Sequence, residues 1–84
     1  MNRMKIVWDD IKRRTNLHKH GFDFADLTAE FFAQATIYPA KLNRLAAVGH
    51  SSDGWITVIF IQLGSEAISI VSMRTARSKE RKLT

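Results

Sequence analysis

The pattern of apolar and polar positions changes period along the chain. Residues 4–8 are mostly apolar and read as a short first strand. Asp9 follows as a suitable helix N-cap, with Lys12 where a capping box would carry Glu. Residues 10–20 suit a helix with Ile11 and Leu17 marking its apolar side, stopped by Gly21. Lys19 and His20 lie in its last turn, where positive charge meets the negative end of the helix dipole. Phe24, Leu27, Phe31 and Phe32 then fall at the i, i+3, i+7, i+8 spacing of a buried stripe, which predicts a second helix over roughly 23–33. Residues 35–38 predict a short strand ended by Pro39.

The remainder reads as a meander. Residues 42–50 form one strand, 51–54 a turn, and 55–63 a second strand. Both faces of that second strand are apolar, which predicts a central place in the sheet. Gly64 and Ser65 make a two-residue link that fits a tight hairpin. In the next strand, 66–73, Ile68 and Ile70 share one face while Ala67, Val71 and Met73 share the other. A basic helical tail spans 75–83. The whole predicts an α+β fold, a small antiparallel sheet with helices packed on one face.

The length of 84 residues predicts a single domain over 1–84. A domain this short buries only about 60–65% of its unfolded surface, so a partner covering apolar surface would add stability. Cysteine is absent, which excludes disulfides and thiolate metal sites. No apolar run is long enough for a bilayer, and Asp9, Asp10 and Lys12 interrupt any signal-peptide core, so the expected location is cytoplasmic. The net charge of +5 points to a polyanionic partner, nucleic acid or acidic protein, or simply to a solvated basic surface. Charge alone does not choose between these.

The candidate chemistry is that of RNA cleavage by the ribose 2′-OH. That reaction needs a group to accept the 2′ proton, a proton for the leaving 5′ oxygen and cationic donors for the phosphoryl oxygens. His is the usual acid or base near neutral pH, and the planar fork of Arg matches phosphate. The candidates are His18, His20 and His50 with Arg44, Arg74 and Arg77. His18 and His20 are two apart on a helix and point to different sides, so they do not form a metal pair. Residues 74–82 carry five positive charges against one negative, either a phosphate cradle or a solvated terminal helix. Trp8 and Trp55 are suited to stacking on bases or to packing.

Three segments resemble a known family. Trp8-Asp9-x-x-Lys12-x-x-x-Asn16-x-x-Lys19-His20-Gly21 resembles the N-terminal signature of the BrnT toxin family. Arg44-x-x-x-x-Gly49-x-Ser51 resembles its middle strand, and Ile70-Val71-Ser72-Met73-Arg74-x-Ala76-x-x-x-Glu80-Arg81 its C-terminal segment. The resemblance implies a RelE-like fold and a ribonuclease that uses no metal or cofactor and inhibits translation. It also implies a cognate BrnA-like ribbon-helix-helix antitoxin that neutralises the toxin in a hetero-oligomer. On that basis Arg44 and Arg74 are expected at the scissile phosphate, with Lys19 beside them and His20 as acid or base. Arg77, Lys79 and Arg81 are expected on flanking phosphates. The chain departs from the family where residues 39–43 replace a longer polar stretch, a place His50 is close enough to serve. Met73 and Arg77 also replace the family's usual Ala and Thr. Two other readings follow: a non-catalytic homologue that holds antitoxin and tunes operon repression, and a general nucleic-acid-binding domain.

Overall fold

The computed structural model describes residues 4–84. Its strands are β1 (Lys5–Trp8), β2 (Thr36–Pro39), β3 (Leu45–Ser51), β4 (Gly54–Leu63) and β5 (Ala67–Thr75). Its helices are α1 (Asp10–His20), α2 (Ala29–Gln34) and α3 (Ser78–Arg81). The strands form one sheet in the order β1-β5-β4-β3-β2, which gives β4, apolar on both faces, the expected central place.

The α+β architecture is the expected one, with two differences. The sheet is mixed, because β1 pairs in parallel with β5, Lys5 opposite Ala67 through Trp8 opposite Ile70. Sequence periodicity carries no sign of strand direction. In addition, α2 and the turn at Phe24–Asp26 cover one face, the core face, whereas α3 lies on the opposite, open face.

The core face gathers Phe24, Phe32, Ala47, Ile56, Val58, Phe60, Ile68, Ile70 and Met73. Phe24 is fully buried, and removing such a ring costs about 3–5 kcal/mol. Met73 was expected opposite Ile68 and Ile70. A register shift between Ile59 and Phe60 leaves Val71 as an extra residue on β5, which turns Met73 back into the core. The link from β4 to β5 is Gly64-Ser65-Glu66, one residue longer than expected, since Leu63 pairs with Ala67.

The predicted second helix is broken in two. Asp23 caps only the short turn at 24–26, and Thr28 restarts the chain as α2 by accepting from Phe31 N. The aromatic stripe nevertheless holds, because Phe24 and Phe32 are buried and Leu27 and Phe31 pack against them. α2 lies close on β3 at Gly49, where a Cβ would stand 2.9 Å from a Phe31 ring carbon, so only glycine fits without a shift.

α1 begins and ends as expected, with Asp9 accepting from Ile11 N and Lys12 N and Gly21 left-handed at φ 78°. Its apolar marks do not hold: Ile11 is 73% exposed and Leu17 42%. The buried residue of α1 is Asn16. Its amide donates to Met73 O at 2.9 Å and accepts from Met73 N at 3.0 Å. β1 pairs only with 67–70, so Asn16 acts as a short substitute strand on the β5 edge that β1 does not reach. α1 is thus attached by polar contacts to backbone at a sheet edge.

Candidate active site

The register fixes which side chains share the open face. Ser72, Ile59, Ala46 and Tyr38 form one row across β5, β4, β3 and β2. Arg74, Thr57, Val48 and Thr36 form the next, followed by Trp55 and His50. Arg44 precedes Ala46 by two residues in extended backbone (φ −95°, ψ 166°) and so rises on the same face beyond the Ser72 row. Arg44 and Arg74 therefore flank that row from opposite sides. β4 separates β3, which follows Arg44, from β5, which carries Arg74. Four residues at about 3.3 Å along β3 and two spacings of about 4.8 Å across place the two Cα atoms roughly 16 Å apart.

Arg74 is held in place. Its Nη1 and Nη2 donate to Oε1 and Oε2 of Glu80 at 2.7 and 2.9 Å. The same carboxylate accepts from Tyr38 Oη at 2.9 Å and from the Arg77 backbone N–H at 2.8 Å. Arg74, foremost by its paired hydrogen bonds, holds the Glu80 carboxyl down at about 2, well below the usual carboxylate range. Burial, reinforced by the Glu80 carboxylate, raises the Tyr38 hydroxyl above its ordinary value. Thr57 is completely buried beneath this cluster. Its hydroxyl has no hydrogen-bond partner among the described residues. The reason is arithmetic: Arg74, Tyr38 and Arg77 already use the roughly four lone-pair positions of a carboxylate.

Lys19 and His20 are exposed at the end of α1. With Lys12, Thr15 and Asn16 they border a cleft of about 260 Å³ whose far wall is Val71 and Ser72. That wall is one end of the Ser72 row, so Lys19 and His20 stand at the edge of the surface flanked by Arg44 and Arg74. Lys12, Asn16, Lys19 and His20 are spaced i, i+4, i+7, i+8 and form one stripe on α1. The sequence reading passed over Lys12 as a cation of this site, although that spacing signals it.

Two of the remaining candidates, His50 and Arg81, meet around Trp55 at the other end of the open face. His50 packs edge-on against Trp55, ring centroids 5.4 Å apart, and the Arg81 guanidinium lies 5.9 Å from the Trp55 centroid. Arg77, just before α3, and Lys79, within it, are exposed and without a carboxylate partner among the described residues. Arg13 and Arg14, in contrast, are occupied by Asp23 and Asp10. The charge left for a polyanion therefore lies mainly around the open face and the β5 edge. Tyr38 is the second residue the sequence reading missed. Its partner Glu80 lies 42 positions away, and no local pattern announces the pair.

A family model for the ribonuclease toxin BrnT of type II toxin–antitoxin systems matches residues 8–80. Among solved structures, the 1.1 Å crystal structure of the Brucella abortus ribonuclease toxin BrnT is similar to this chain, with 53% sequence identity and a TM-score of 0.82. That similarity covers 89% of this chain and 99% of the other. Among curated proteins no match is found.

Proposed function

The chain belongs to the BrnT family of ribonuclease toxins of type II toxin–antitoxin systems, and from that premise we propose that it cuts RNA on the open face of its sheet, over Ser72 and Ile59. In this reading the RNA backbone lies along the row. His20 takes the 2′-OH proton, and the 2′ oxygen attacks the adjacent phosphorus. The bond from phosphorus to the 5′ oxygen breaks, leaving a 2′,3′-cyclic phosphate, and the 5′ oxygen takes a proton from solvent water. Arg44 and Lys19 stabilise the charge on the phosphoryl oxygens. Arg74 contributes the two N–H groups left after its bonds to Glu80 and the Thr75 carbonyl. Arg77, Lys79 and Arg81 hold flanking phosphates, with His50 at the end of the face.

The observation that supports this reading is the arrangement of cations from three separate segments around the half-buried Ser72 and Ile59, with Ser72 shared between the row and the α1 cleft. Imidazole, guanidinium and ammonium groups suffice for the steps, so cleavage is expected to proceed without metal or cofactor. The protein acts in the cytoplasm by stopping translation. A BrnA-like ribbon-helix-helix antitoxin neutralises it by forming a hetero-oligomer.

A cell-free translation reaction tests this. Purified protein is expected to stop synthesis in the presence of EDTA-treated toxin stocks, and antitoxin added first is expected to restore it. Undiminished synthesis with folded toxin counts against the reading. A second reading, a non-catalytic partner of antitoxin, draws on the Glu80 carboxylate that balances Arg74 and on the short segment Lys41–Asn43. It predicts antitoxin binding with no arrest of translation.

A further inference from the structure

Trp55 is a large aromatic residue left half-exposed on the open face, outside the core. It borders a cleft of about 540 Å³ together with Ser78, Arg81, Lys82 and Thr84. That volume lies within the range of small-ligand sites. The lining holds an aromatic ring, two cations and two hydroxyls, and no Asp or Glu side chain. His50 meets the indole edge-on and fixes its tilt, while the Arg81 guanidinium hangs over the ring without a carboxylate partner among the described residues. Trp55 precedes Thr57 by two residues on one face of β4, and Thr57 is directly opposite Arg74. The Trp55 Cα therefore lies about 6.6 Å along the strand from the Arg74 row.

We propose that this cleft is a nucleotide subsite, in which one base of a single-stranded RNA stacks on Trp55 and its phosphate is held by Arg81 and Lys82. A flat ring offers a stacking surface to any base, and a neighbouring guanidinium binds phosphate or stacks in turn. The subsite lies beside the Arg74 row, so it takes a nucleotide flanking the cleaved linkage. It gives the substrate a grip that depends on the base and is separate from the cationic hold on the backbone. The proposal rests on the ribonuclease reading above and adds to it a position for one nucleotide.

The test is a fluorescence titration of the full chain with a 2′-O-methyl RNA trinucleotide, which cannot be cut, and with an abasic trinucleotide of the same charge. Trp55→Phe identifies which tryptophan responds. Saturable quenching is expected with the base-containing probe and is expected to disappear in Trp55→Phe, which retains binding because phenylalanine still stacks. The abasic probe is expected to bind roughly 5- to 150-fold more weakly, the range for one stacked base. Trp55→Ala is expected to weaken the base-containing probe by a similar factor and leave the abasic probe unchanged. Arg81→Ala is expected to weaken both probes. Equal affinity for the two probes overturns the proposal. RNA cleavage without a Trp55 response overturns the subsite and leaves the ribonuclease reading standing. Failure of the folded protein both to bind and to cut RNA overturns the two together.

Discussion

The Glu80 carboxylate straddles the Arg74 guanidinium with two hydrogen bonds, and this one contact fastens α3 to the open face. The pair is half-buried and bidentate, the geometry in which an ion pair contributes measurably. Glu80→Gln keeps the shape but loses the charge. It is expected to lower stability by about 1–2 kcal/mol, read from the urea midpoint, because solvent at the α3 edge screens part of the attraction. Arg74→Ala is expected to cost at least as much, since it leaves a carboxylate without its main partner.

The same contact sets the response to acid. Glu80 is held at about 2 in the folded protein, below its ordinary 4.5, and Asp23 is held at about 2, mainly by its hydrogen bond from Arg13 and then by the Ala25 backbone N–H. A depressed carboxyl contributes stability above its ordinary value and loses it as pH falls toward the folded value. Thermal unfolding midpoints are therefore expected to fall between about pH 5 and 2. The Glu80→Gln, Asp23→Asn double variant is expected to show a flatter profile over that window. An unchanged slope in the double variant would argue that other carboxylates control the acid limb.

Thr57 carries a buried hydroxyl that the crowded Glu80 carboxylate cannot serve. Thr57→Val keeps the shape and removes the unsatisfied group. It is expected to be neutral or to stabilise by up to about 1 kcal/mol in a denaturant titration. A large loss would mean that the hydroxyl has a partner, such as an ordered water.

Asn16 joins α1 to the β5 edge through both polar groups of Met73. Asn16→Ala orphans a buried N–H and a buried C=O, and about 2–3 kcal/mol of destabilisation is expected. Asn16→Asp is expected to fail as well, because an ionised carboxylate cannot donate to Met73 O. Hydrogen exchange at the Met73 amide is expected to accelerate in both.

Much of this fold is legible in the sequence because its signals are local. Asp9 and Gly21 mark both ends of α1, and the apolar run in β4 gives that strand its central place. What the sequence reading lost is long-range or irregular. The extra residue at Val71 reverses the side chains that follow it, and alternation alone does not reveal a bulge. Ile11 and Leu17 suggested an apolar face on α1, yet the helix is attached through Asn16, a residue that periodicity counts as polar. Of the site, the cationic residue types and their segments were legible. The Arg74–Glu80–Tyr38 cluster was not, because it joins β5, α3 and β2 across 42 positions.

The central claim is that one patch around the Ser72 row both binds and breaks an RNA phosphodiester. The most direct measurement is the single-turnover cleavage rate of an end-labelled RNA by the wild-type protein, His20→Ala and Arg44→Ala, with antitoxin affinity measured in parallel. Each substitution is expected to slow cleavage by about 10²-fold or more, the usual effect of removing an acid–base group or a phosphate donor, with folding retained. A 2′-deoxy residue at the cleavage position is expected to abolish the reaction. Wild-type rates in both variants, or cutting at the 2′-deoxy position, would contradict the account.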